Sequence, residues 1–102
     1  MPDDKRRFPR LRSLNIVAEK GRIFRTLDLS REGMLLEMDT PAALGTRVQL
    51  DLAVGDDIID VSGEVMRHVH QENGRIAVGI RFSRMAPRSE RALREYLLKK
   101  QK

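Results

Sequence analysis

A small antiparallel β-barrel of six strands, preceded by an arginine-rich arm and closed by one C-terminal α-helix, is the fold this sequence predicts. Three observations predict it. Short apolar runs follow one another between turn signals, residues 47–54 and 76–82 alternate with a period of two, and the pattern changes to helical spacing after Pro87. At 102 residues the chain has room for one domain, since single domains run to ~100–150 residues. The expected organisation is a flexible arm over residues 1–12, a barrel over 13–83 and a helix over 87–101.

The runs "SLNIVAE" at 13–19, "IFRTLDL" at 23–29 and "GMLLEM" at 33–38 read as three strands, separated by "EKG" and "REG". Pro41 and Gly45 argue against helix in the next connection. "RVQLDLAV" then sets Val48, Leu50 and Leu52 on one face against Arg47, Gln49 and Asp51 on the other, which is the pattern of a half-buried strand. "GDD" and "QENG" turn the chain into and out of a fifth strand, "IIDVSGEVMRHVH", in which Gly63 is expected to allow a bulge or bend. In the sixth, Ile76, Val78, Ile80 and Phe82 share a face. From Pro87, a favoured first helical residue, Leu93, Tyr96 and Leu97 recur at helical spacing, with Ala92 and Leu98 on the margins of that face. A barrel suits so small a sheet because closure removes its exposed edges.

Composition excludes several classes. Four aromatic residues provide few stacking platforms for single-stranded nucleic acid. The absence of cysteine removes disulfides and thiolate metal cages. No signal-type segment and no apolar run of membrane-spanning length is present, so a cytoplasmic protein without membrane insertion is expected. The net charge of +5 is uneven: residues 1–12 carry +3, residues 88–102 carry +4, and the middle of the chain is negative. A general nucleic-acid binder spreads its basic residues over the face that meets phosphate. The C-terminal patch fits a solvated helix end, where cations favour the helix dipole.

No catalytic motif has an anchor here, and no enzymatic activity is expected. His68 and His70 alternate on one strand, but lack the further ligands that a metal site needs, so no metal is expected. Two segments do point to a ligand. "KRRFPR" sets Arg6, Arg7 and Arg10 around a Phe-Pro pair that favours extended backbone, and each guanidinium can form a fork of hydrogen bonds to guanine O6 and N7 or to phosphate. "DLSREG" reads as a turn at a strand end, with Asp28 and Ser30 on the same side and Gly33 supplying a permissive dihedral. Asp28 then offers acceptors to the N1–H and N2–H₂ of guanine, and Ser30 a hydroxyl to phosphate or sugar. Each segment taken alone is equally compatible with a solvated tail and a plain turn.

Arg6-Arg7-Phe8-Pro9-Arg10 and Asp28-Leu29-Ser30-Arg31-Glu32-Gly33 together fit R-x-x-x-R and [D/N]-x-S-x-x-G, with 17 residues between them, ahead of "GTRVQLDL", "GEVMR" and "VGIRF". In this the sequence resembles the PilZ domain family, which binds the bacterial second messenger cyclic di-GMP. The resemblance runs from about Lys5 to the terminal helix and implies the same six-stranded barrel. It implies a non-enzymatic receptor with no cofactor beyond that ligand. Arg6 and Arg10 would grip guanines and phosphates, Asp28 and Ser30 would contact guanine and its sugar-phosphate, and Gly33 would shape the turn. Arg7 is an additional contact, with Lys5 and Arg81 ranked lower. Ligand binding is expected to order the arm and change the surface offered to a protein partner; the alternative is a PilZ-fold interaction module that does not use the nucleotide.

Overall fold

The computed structural model describes residues 16–19 and 22–100. Its elements are β1 (Ile16–Glu19), β2 (Arg22–Leu29), β3 (Gly33–Met38), β4 (Arg47–Val54), β5 (Asp57–His70), β6 (Ile76–Phe82) and α1 (Pro87–Lys100). The expected arm, and with it Lys5, Arg6, Arg7 and Arg10, lies outside the described residues, as do residues 13–15 of the first expected strand and residue 101 of the expected helix.

The five longer strands form a curled antiparallel sheet in the order β2-β3-β6-β5-β4. The four-residue β1 pairs with β2 on one side and β4 on the other, and so closes the curl into a barrel. Closure satisfies backbone groups that two free edges would leave open to other chains.

Alternation decides which side chains fill the interior. Met34, Leu36 and Met38 of β3, Leu50, Leu52 and Val54 of β4, Ile59, Val61 and Val65 of β5, and Val78 and Ile80 of β6 are buried in one cluster. α1 supplies the plug. It packs on β4 and β5 and buries Ser89, Leu93 and Leu97, with Ala92 and Tyr96 half-buried beside them. Leu98, expected on the margin of this face, is 58% exposed, because it follows Leu97 by a turn of 100° and points away from the barrel.

The bend expected at Gly63 occurs three residues later. The β5–β6 register shifts between Val65 and Arg67, which makes Met66 the extra residue of a bulge. Gly63 is needed for a different reason: a Cβ there would lie 2.6 Å from the Arg81 carbonyl oxygen and 2.6 Å from the Ile80 side chain. Next to the bulge, the Gly45 amide donates to the Val65 carbonyl at 2.8 Å and the Val65 amide to the Thr46 carbonyl at 2.9 Å, tying the β3–β4 connection down. His68 joins this seam through Nε2, 2.7 Å from the Ala42 carbonyl oxygen. That contact gives His68 a structural use, and among the described residues no three His, Cys, Asp or Glu side chains are grouped to hold a metal. Among the described residues, no helix is long and apolar enough to cross a membrane.

One carboxylate is buried on the outer face of the sheet. Glu37 is 5% exposed, accepts hydrogen bonds from Arg25 Nε at 3.0 Å and Gln71 Nε2 at 3.1 Å, and lies 3.6 Å from Arg75 Nε, which makes it the link between β2, β3 and the β5–β6 turn. The Gln71 amide is the main influence holding its carboxyl below the usual carboxylate range; burial opposes this, and Arg25 and Arg75 reinforce it. A carboxyl whose pKa is lowered by folding contributes stability above its unfolded pKa and loses that contribution as pH falls through the folded value. Denaturant unfolding of the wild type is therefore expected to show declining stability on acidification below the usual carboxylate range. Glu37→Gln is expected to lower stability near neutral pH by about 1–3 kcal/mol and to flatten the acid limb.

Candidate functional site

β2 ends in an irregularity that decides where Asp28 points. Thr26 pairs with Leu36, but Asp28 pairs with Leu35, so Leu27 is an extra residue against β3. The consequence is visible in burial: Thr26 and Leu29 are both fully buried, while Asp28 between them is only half-buried. In a regular strand Asp28 shares the face of Thr26 and enters the barrel, where an unpaired carboxylate costs several kcal/mol. The bulge re-aims it to the outer wall.

The turn that follows is closed on itself. The Ser30 amide donates to the Gly33 carbonyl at 2.9 Å, the Ser30 hydroxyl donates to the same oxygen at 3.3 Å, and the Glu32 amide donates back to Ser30 Oγ at 3.3 Å. From outside, the Phe82 amide donates to the Glu32 carbonyl at 2.7 Å and ties the turn to the end of β6. Ser30 is 5% exposed and Asp28 half-buried, so the two do not present themselves alike, contrary to the shared side that their spacing predicts. A hydroxyl has one proton and two lone pairs. With that proton on Gly33, Ser30 retains acceptor capacity, which suits a donor such as a ribose hydroxyl or a guanine N–H rather than a phosphate oxygen.

Gly33 is required by space, not by its dihedral. The described glycines with positive φ are Gly45, Gly55 and Gly74. A Cβ on Gly33 would stand 2.0 Å from the Ile80 carbonyl oxygen. β6 can approach the turn this closely only because no side chain is there.

Pairing places Arg81 opposite Gly33 on one side and Glu64 on the other, with its side chain exposed. Beyond it opens a cleft of about 740 Å³ between the β2–β3 turn, the β6–α1 connection and α1, lined by Arg31, Glu32, Arg81, Phe82, Ser83, Arg84, Met85, Glu90, Leu93 and Arg94. Of the site residues expected from sequence, Arg81 lines this cleft; Asp28, Ser30 and Gly33 form the strand and turn that lead into it. Arg31, Arg84 and Arg94 were not singled out by sequence patterns, because Arg31 occupies a variable position of its motif and the other two belong to a connection and a basic helix. On the outer wall Arg67 crosses Gly79, where a Cβ would meet its side chain at 2.9 Å.

The sequence matches the PilZ domain over residues 4–99. The chain belongs to the PilZ domain family. No curated protein matches it by sequence. Among solved structures, it is similar to the Bacillus subtilis inhibitor of motility MotI/DgrA, with a TM-score of 0.81, 15% identity, and coverage of 97% of this chain and 52% of that one. It is also similar to YcgR from Escherichia coli in complex with c-di-GMP, with a TM-score of 0.77, 19% identity and coverage of 95% and 46%. The K. pneumonia MrkH–c-di-GMP complex gives 0.77, 18%, and coverage of 98% and 57%. The chain spans about half the length of these three proteins, and the likeness establishes a shared PilZ fold.

Within this PilZ domain, Gly33 and Gly79 provide a contrast that tests the turn. Gly33→Ala drives a methyl into backbone and is expected to cost at least about 1–3 kcal/mol, whereas Gly79→Ala meets only the side chain of the exposed Arg67, which can shift, and is expected to cost less. Urea unfolding of the two variants beside the wild type measures the difference.

Proposed function

We propose that this PilZ domain is a non-enzymatic receptor for cyclic di-GMP. The observation that carries the reading is the outward turn of Asp28 at the β2 bulge, beside a Ser30–Gly33 turn already fixed to β6. A carboxylate in that position can accept from the N1–H and N2–H₂ of guanine, and Arg81 stands across Gly33 as a cation for phosphate. Solved neighbours in complex with c-di-GMP, YcgR and MrkH among them, support the ligand's identity.

In this reading Arg6 and Arg10 of the R-x-x-x-R segment take the Hoogsteen edges of guanine and the phosphates. Arg7 is an additional contact, and Lys5 and Arg81 have lesser roles. Asp28 takes the Watson–Crick edge, Ser30 accepts from the sugar, and Gly33 lets the turn stand against β6. Binding orders residues 1–12 against the turn and alters the surface offered to a protein partner. Each bidentate arginine–guanine contact discriminates by ~1–3 kcal/mol, while ordering backbone costs ~1–2 kcal/mol per residue. An arm of that length offsets much of its own gain, so the affinity is expected near micromolar, about −8 kcal/mol.

Isothermal titration of the intact chain with cyclic di-GMP tests the reading. The wild type is expected to bind with a Kd in the micromolar range, and Asp28→Ala or Arg10→Ala to weaken it roughly tenfold or more. No heat from the intact chain leaves instead a PilZ-fold interaction module that does not use the nucleotide.

A further inference from the structure

The cleft between the turn and α1 brings together four guanidinium groups from four places in the fold: Arg31 in the turn, Arg81 at the end of β6, Arg84 in the connection and Arg94 on α1. Two glutamates, Glu32 and Glu90, line the same space. Yet among the described residues no carboxylate lies within ion-pair distance of Arg81, Arg84 or Arg94. Arg81, Arg84 and Arg94 thus share the space without carboxylate partners, and a concave arrangement of cations concentrates a field that attracts an anion. Phe82 and Met85 add half-buried apolar surface beside them.

A volume of about 740 Å³ falls in the range of small-molecule sites, ~300–1,000 Å³. The mixture of arginine forks and apolar surface suits a nucleotide, whose phosphate takes the forks and whose base takes the apolar side chains. The cleft begins at Arg31, three residues from Asp28, a span the chain covers in at most ~10 Å.

We propose that this cleft receives the half of cyclic di-GMP that Asp28 does not hold, with Arg84 and Arg94 joining the arginines of the R-x-x-x-R segment on its phosphodiester and the purine against Phe82 and Met85. The inference rests on the receptor reading and adds a role that the motif residues do not provide. The ligand bridges the barrel to α1, so that α1 itself reports occupancy. Arg84 and Arg94 are binding residues of the cleft, and the connection over residues 83–86 is pinned when it fills.

Titration of the full chain with cyclic di-GMP, comparing wild type, Asp28→Ala and the double variant Arg84→Gln/Arg94→Gln, tests the assignment. Both arginines are exposed, and an unchanged unfolding midpoint in the double variant verifies that its fold is intact. The double variant is expected to bind roughly tenfold more weakly or worse, as two charge-assisted hydrogen-bonding groups are lost. Amide exchange over residues 87–100 of the wild type is expected to slow when cyclic di-GMP is added. Wild-type affinity in the double variant, with Asp28→Ala still impaired, overturns the cleft assignment and leaves the receptor reading standing. So does exchange in α1 that ignores saturating ligand. An intact chain that binds no cyclic di-GMP overturns both.

Discussion

The backbone of β6 passes so close to Gly33 that a Cβ there would sit 2.0 Å from the Ile80 carbonyl oxygen, and the geometry of the site depends on that approach. Because β6 is there, the Phe82 amide reaches the Glu32 carbonyl and holds the turn in place. Because the turn is held, Arg31 and Glu32 face the cleft instead of solvent on the far side, and Arg81 stands directly across from Gly33. A glycine is the only residue that permits this, and it does so through absent volume. The Ser30 hydroxyl completes the arrangement from within, satisfying one carbonyl and one amide of a turn that is otherwise only four residues long.

Two bulges share the work of aiming side chains. Leu27 in β2 sends Thr26 and Leu29 into the barrel and keeps Asp28 out of it. Met66 in β5 shifts the register against β6, so that Arg67 faces Gly79, and it lies where the β3–β4 connection is tied to Val65. In both cases one extra residue changes which face its neighbours occupy, without breaking the ladder on either side. A closed barrel tolerates this because its remaining pairs, such as the eight between β4 and β5, stay in register.

Much of this was legible in the sequence, and what was not has identifiable physical causes. The alternation of Val48, Leu50 and Leu52 specifies the face of β4, and the spacing of Leu93 and Leu97 specifies the helix face that plugs the barrel. Asp28, Ser30 and Gly33 carry a motif that marks the turn. The bulges are invisible to period-two reading, because "RTLDL" alternates no worse with an extra residue than without one. The reason for Gly33 is equally hidden: proximity to Ile80, 47 positions away in the chain, is a property of the β3–β6 pairing. Arg94 looks like part of a solvated basic helix and Arg84 like a connection residue until the fold sets both on the cleft that Arg31 also lines. The arginines of the R-x-x-x-R segment lie outside the described residues, and their role stands on the motif and the chemistry of guanine.

In the proposed receptor, one half of the ligand site is built before the ligand arrives and the other half closes over it. Amide exchange on the full chain, with and without cyclic di-GMP, measures both halves in one experiment. The account predicts that the amides of Ser30, Glu32 and Phe82 exchange slowly in the free protein, since each donates to a fixed acceptor, and that protection over residues 1–12 appears only when the ligand is present. Fast exchange at Ser30, Glu32 and Phe82 in the free protein, or ligand binding that leaves residues 1–12 unprotected, would contradict it.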